Sequence, residues 1–214
     1  MSQVSLGPLF TIAERISKFA YVNLLWIVFT LAGIILFGFF PATIALFTVI
    51  RKWVLNDYDV PVFKTFWNSY KQEFLKGNLV GLIIAMIGVI FYVNLSYMQV
   101  NKDTLLMLTH IPLYLVMFAI SLTLLYLIPV YVHYNVPFIQ MFKNAFLIMF
   151  INPLNNLLLI ISITITLYGM SFIPGVLFFF AGSVTAYIIM TSCYQAFKKV
   201  DEQKRRRLAR PRQA

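Results

Sequence analysis

FAYVNLLWIVFTLAGIILFGFFPATIALFTVI, residues 19–50, contains no Asp, Glu, Lys or Arg. A membrane-spanning helix needs about 20 mostly apolar residues at 1.5 Å rise each. This run of 32 residues is long for one span and short for two. The interruption Gly38-Phe39-Phe40-Pro41 decides for two. Gly permits a tight turn, and Pro lacks an N–H while suiting the first turn of a new helix. The stretch therefore predicts one helix over 19–38 and a second over 41–55, with Arg51, Lys52 and Trp53 marking the exit into the headgroup region.

The rest of the chain repeats the pattern. Residues 77–101, 104–142 and 144–197 are also free of formal charge, and the four runs hold 150 of the 214 residues. A soluble domain spreads charge along its surface. Here 61% of residues are hydrophobic and only 11% charged, against about 25% charged in a globular chain. Lipid is the solvent. The expected fold is an all-α membrane protein of six transmembrane helices arranged as three hairpins, at 19–38, 41–55, 77–99, 106–131, 153–169 and 173–197. An amphipathic segment over 1–18 and a basic tail over 198–214 flank them. The lone Cys193 leaves no disulfide available within one chain. No cleavable signal pattern precedes the first apolar run, so that run is expected to remain as an anchor.

Basic residues orient the bundle. Six spans with both termini cytoplasmic put sixteen Lys and Arg inside and only Lys102 outside. The connection after the second span has its own pattern. Phe63, Phe66, Trp67, Tyr70 and Phe74 recur at helical spacing, with Lys64, Thr65, Asn68, Lys71, Gln72 and Glu73 on the other face. This describes an amphipathic helix in the inner interface. Phe63, Phe66, Trp67 and Phe74 then form either a docking face for a partner or an elbow that positions the next span. Residues 8–19, with Leu9, Ile12, Ile16 and Phe19, read as a second such helix. Residues 60–78 also align with 136–154 at an offset of 76, sharing Val60/Val136, Pro61/Pro137, Phe66/Phe142, Asn68/Asn144 and Phe74/Phe150. A parallel repeat would produce this pattern.

Catalytic constellations are missing from the sequence. All seven acidic residues fall in connections or tails, so no mid-membrane carboxylate is present to carry a proton. His110 and His133 stand roughly 35 Å apart if one helix joins them, too far to share a metal. There is no H-E-x-x-H and no phosphate-binding glycine loop. The expectation is a protein that is not an enzyme and carries no cofactor or metal. Neutral polar residues inside the spans serve either as interhelical glue or as the lining of a polar path. Gly33, Gly38, Gly81, Gly88 and Gly182 allow close helix approach. The tail carries eight basic residues, expected either to bind anionic lipid or to act as a topology signal. It lacks the folded platform of a nucleic-acid binder.

Asn23-Leu24-Leu25-Trp26, then Gly38-Phe39-Phe40-Pro41-Ala42-Thr43-Ile44-Ala45, Arg51-Lys52-Trp53 and Val60-Pro61-Val62-Phe63-Lys64-Thr65-Phe66-Trp67, resemble the YesL-like family of bacterial multi-pass membrane proteins (DUF624, a domain of unknown function). The resemblance marks Asn23, Trp26, Gly38, Pro41, Ala42, Thr43 and Arg51 as motif positions. It implies a bacterial cytoplasmic membrane and an association with carbohydrate-uptake transporters. It implies no activity. The sequence thus leads to a non-catalytic accessory of a carbohydrate ABC transporter, with a small-solute facilitator as the alternative.

Overall fold

The computed structural model describes residues 7–100, 104–134 and 136–209. Eight helices account for nearly all of them: α1 (Pro8–Ala32), α2 (Phe39–Val54), α3 (Val62–Gln72), α4 (Phe74–Val100), α5 (Thr104–Tyr134), α6 (Phe138–Ile151), α7 (Pro153–Ser171) and α8 (Pro174–Ala209). No strand occurs among the described residues. Five helices are long and apolar enough to cross a membrane, and long stretches of α4, α5 and α7 leave large apolar side chains exposed, among them Leu82, Val89, Leu115, Phe118, Leu158 and Ile165. In water such surface would be untenable. The chain is an all-α membrane protein.

α1 differs from the expected pair of an interfacial segment and a span over 19–38. It is one helix from Pro8, because no breaker separates residues 8–19 from the apolar run and Pro8 suits a first turn. It stops at Ala32, six residues early. Ile34 and Ile35 take φ of 55° and 60°, the left-handed region that β-branched residues rarely enter. The turn closes so tightly that a Cβ on Gly38 would lie 2.4 Å from the Thr30 carbonyl oxygen. α2 begins at Phe39 rather than 41, which puts Pro41 in the first turn, where helix N–H groups lack intrahelical partners.

α2 is the centre of the molecule. It has only 16 residues, about 24 Å at helical rise, yet it touches α1, α3, α4, α5 and α8. Ala42, Ala45, Val49 and Ile50 are fully buried, with Leu46 and Trp53 nearly so. Against α4 the approach is close. A Cβ on Gly77 would meet the Pro41 backbone at 3.2 Å, and one on Gly81 would strike the Phe40 ring at 2.2 Å. This glycine pair, four residues apart, lets backbones approach as small-residue motifs do in membranes. It also changes the pairing expected of three hairpins: α1 packs on α2 and α7 on α8, but α4 packs more on α2 than on α5.

The connections fold back into the bundle. α3 begins after Pro61 and α6 after Pro137, 76 residues apart as the aligned segments require. α3 returns along α2, as α6 returns along α5. Thr48 and Ser69 hydroxyls meet at 3.1 Å, and the Tyr70 hydroxyl donates to the Phe29 carbonyl at 3.3 Å. One residue, Glu73, separates α3 from α4, which therefore starts at Phe74 instead of 77. The last expected span, 173–197, is only the first part of α8. That helix continues to Ala209, because Lys, Glu, Gln, Arg and Leu are good helix formers and no Gly or Pro intervenes. Residues 1–6 of the N-terminal segment, Lys102 and residues 210–214 of the tail lie outside the described residues.

Candidate functional site

The motif positions form a clamp. Asn23 and Trp26, three residues apart, share one face of α1. Asn23 is 1% exposed. Its Nδ2 donates to the Phe178 carbonyl at 2.9 Å, and its Oδ1 accepts from the Ser183 N–H at 3.0 Å. In an undisturbed helix those groups belong to successive rungs of the α8 ladder, so one side chain fastens α1 to α8. Gly182 makes room for it, since a Cβ there would stand 2.7 Å from Asn23 Oδ1. The Trp26 Nε1–H donates to Thr43 Oγ1 at 3.1 Å, and that hydroxyl donates to the Phe39 carbonyl at 2.6 Å. Trp26 thereby closes the first turn of α2. Ala42 and Pro41 are buried, and Pro41 lies against Gly77 of α4. Asn23, Trp26 and Thr43 thus hold helices together by hydrogen bonds, whereas Gly38, Pro41 and Ala42 serve the tight turn and the close packing of α2.

Arg51 is different. It belongs to a crevice of about 530 Å³ between α2, α3 and the C-terminal part of α5, at the end of the bundle where basic residues collect. Nearby on the same end, Lys18 pairs with Glu14 at 2.7 Å and donates to the Tyr58 carbonyl at 2.9 Å, while Arg15 lies 4.5 Å over the Tyr58 ring. The crevice is lined by Thr48, Arg51 and Lys52 of α2, by Lys64, Thr65, Asn68, Ser69 and Gln72 of α3, by Glu73, and by Tyr131 and His133 of α5. Three cations face one carboxylate, and the Tyr131 hydroxyl donates to Glu73. Arg51 Nε and His133 Nδ1 are buried without a hydrogen-bond partner. Leaving a charged group unsatisfied in this way is expensive, at more than about 1–3 kcal/mol.

The expected partner face divides. Phe66 is fully buried and Phe74 partly so, packed into the bundle; Phe29 of α1 meets Phe66, Trp67 and Tyr70 at ring distances of 5.0–5.4 Å. Burial also pushes the Tyr70 phenol above its ordinary pKa. Phe63 and Trp67 remain 51% and 36% exposed, and only they still present aromatic surface outward. α3 is therefore largely an elbow, its apolar face taken up by α1 and α2. Gly88 has open space around its Cα and makes none of the close approach expected of it.

Two polar clusters escaped the sequence reading. Glu73 and Tyr131 are 58 residues apart, and the sequence pattern shows Glu73 only as part of the polar face of α3. In the second cluster, Tyr126 donates to Asn156 Oδ1 at 2.8 Å, Asn155 donates to the Tyr126 hydroxyl at 2.8 Å and to the Ser192 carbonyl at 3.2 Å, and Asn156 donates to the Met149 carbonyl at 2.9 Å. The signal available was three Asn around Pro153 at a helix break. Among the described residues no group of three His, Cys, Asp or Glu is placed to hold a metal.

Fold and clamp together define a multi-pass helical membrane protein built around a short central helix. The family model described as "Protein of unknown function, DUF624" matches residues 19–95, which contain the clamp's α1 and α2 residues and two of the three helices that wall the crevice. The chain is 36% identical over 206 residues to the uncharacterized protein YteU of Bacillus subtilis strain 168, covering 92% of this chain and 89% of that one. It is 32% identical to the uncharacterized protein YesV of the same organism, over 89% and 91% of the two chains, and 29% identical to the uncharacterized protein YesL, over 91% of each. The chain belongs to the DUF624 family. No solved structure matches it.

Proposed function

We propose that this is a non-catalytic accessory protein of a bacterial cytoplasmic membrane, acting beside a carbohydrate ABC transporter. In this reading α2 crosses as a sixth span and both termini are cytoplasmic. Arg15, Lys18, Arg51, Lys52, Lys64 and Lys198 gather at one end of the bundle, which the positive-inside rule assigns to the cytoplasm. In this reading the basic residues of the C-terminal tail bind anionic lipid. The carbohydrate assignment rests on the family resemblance.

The observation that carries the accessory reading is the closed centre of the bundle. Val22, Ala45, Leu46, Val49, Tyr126 and Met190 are at most 2% exposed, and the fully buried Ala45 and Val49 of α2 each follow a crevice-lining residue, Ile44 and Thr48. A facilitator needs a continuous polar path. A packed centre with an aromatic edge at Phe63 and Trp67 suits a protein that binds a neighbour instead. The test is co-purification in mild detergent from cells that express the cognate transporter. A transporter subunit should co-elute with the native chain and be lost with Phe63→Asp, at unchanged protein level. Failure of any transporter subunit to co-elute would contradict the proposal. The facilitator is the second reading because the crevice supplies a polar lining of a size that suits a small solute.

A further inference from the structure

We infer that the crevice between α2, α3 and α5 is a binding site for an oxyanion, a phosphate or carboxylate group carried by a small solute or by a lipid headgroup. This does not depend on the accessory reading, which stands or falls on a different face of the protein. The charge arrangement is the first argument. Arg51, Lys52 and Lys64 converge from two helices, and the single opposing carboxylate, Glu73, already accepts the Tyr131 hydroxyl.

The second argument is the guanidinium. Among the described residues Arg51 forms no ion pair, and its Nε is buried and unpartnered. A half-buried guanidinium without a counterion is a poor arrangement, because low dielectric removes water without supplying a partner. Candidate counterions lie close by, since Asp201 and Glu202 line a neighbouring crevice with Lys198 on the far side of Arg51 and His133. They do not engage it. A guanidinium fork flanked by two ammonium groups is the usual protein solution for a bidentate oxyanion.

The third argument is the remaining lining. Asn68, Gln72, Thr65 and Ser69 supply neutral donors and acceptors, and His133 lines the same space. About 530 Å³ exceeds what one phosphate needs and falls in the range of small-molecule sites. The anion therefore belongs to a larger polar body, whose hydroxyls or glycerol backbone the amides would meet.

The test uses the full chain in nanodiscs. In phosphatidylcholine discs, glucose 6-phosphate, glucuronate and neutral glucose are titrated by calorimetry. In parallel, discs containing one-fifth phosphatidylglycerol are used, and lipid retained by the purified protein is read by native mass spectrometry. Arg51→Gln and Lys64→Gln should each weaken binding about tenfold, whereas Lys143→Gln, on exposed α6 surface, should not. Anionic sugar binding without glucose binding identifies a soluble ligand. Arg51-dependent retention of phosphatidylglycerol alone identifies a headgroup. If Arg51→Gln fails to fold, the exposed Lys64 decides the matter. Absence of binding in both arms, or binding indifferent to Lys64→Gln, overturns the inference.

Discussion

Replacing Asn23 by Leu keeps the side-chain volume close and removes both hydrogen bonds to α8, the donation to Phe178 and the acceptance from Ser183. Interhelical hydrogen bonds in membranes are worth about 0.6–2 kcal/mol each. Two such bonds at a residue 1% exposed give an expected loss of about 1–4 kcal/mol. Asn23→Asp should be worse, because a carboxylate would face the Phe178 carbonyl. Gly182 supplies an internal check. A Cβ there would lie 2.7 Å from Asn23 Oδ1 and 3.0 Å from the Trp26 ring, so Gly182→Ala should destabilise the native protein. In an Asn23→Ala background the tighter of these contacts is gone, and the same change should be milder by about 1 kcal/mol. The assay is unfolding in mild detergent followed by tryptophan fluorescence, run as a double-mutant cycle. Native stability of Asn23→Leu within about 0.3 kcal/mol, or strict additivity of the pair, would refute the clamp.

Thr43→Val should cost about 1 kcal/mol by orphaning Trp26 Nε1, while Thr43→Ser should be nearly neutral; unfolding midpoints distinguish them. Gly77→Ala must push against the Pro41 backbone and should destabilise, whereas Gly88→Ala has open space and should be neutral or stabilise by up to about 1 kcal/mol. Phe66→Asp should abolish folded protein on size-exclusion chromatography, while Phe63→Asp, at a half-exposed position, should leave it intact. In a Cys193→Ser background, cysteine at Leu36 should react with an impermeant thiol reagent in intact cells, and cysteine at exposed Lys64 should react only after lysis. Labelling of both positions from outside would remove the sixth span.

The five long apolar helices are legible because lipid imposes a rule that acts on single segments: charges are excluded over about 20 residues, and Pro punctuates. Pro153 and Pro174 accordingly mark their helix starts within a residue. The ends of α1 are not legible, because its N-terminal extension lacks any breaker and its exit runs through two exposed isoleucines in a left-handed turn closed by local backbone hydrogen bonds, a conformation that β-branched residues do not announce. α3 showed its amphipathic face in the sequence, but not what that face covers. Phe29, 37 residues before Phe66 in the sequence, supplies the cover that lipid was expected to supply. The motif residues were visible as a pattern, yet their role needed Ser183, 160 positions away. The crevice was invisible for the same reason. Lys64, Arg51 and His133 stand far apart in the sequence, and only the packing of α3 and α5 against α2 brings them together.

The most direct test of the accessory reading is solute flux through liposomes containing this chain alone. Vesicles loaded with labelled glucose or glucuronate should release them at the rate of protein-free vesicles, because packed residues at most 2% exposed fill the centre of the bundle. Release that is dependent on the protein, saturable in solute and reduced by Arg51→Gln would contradict it and make the crevice the mouth of a transport path.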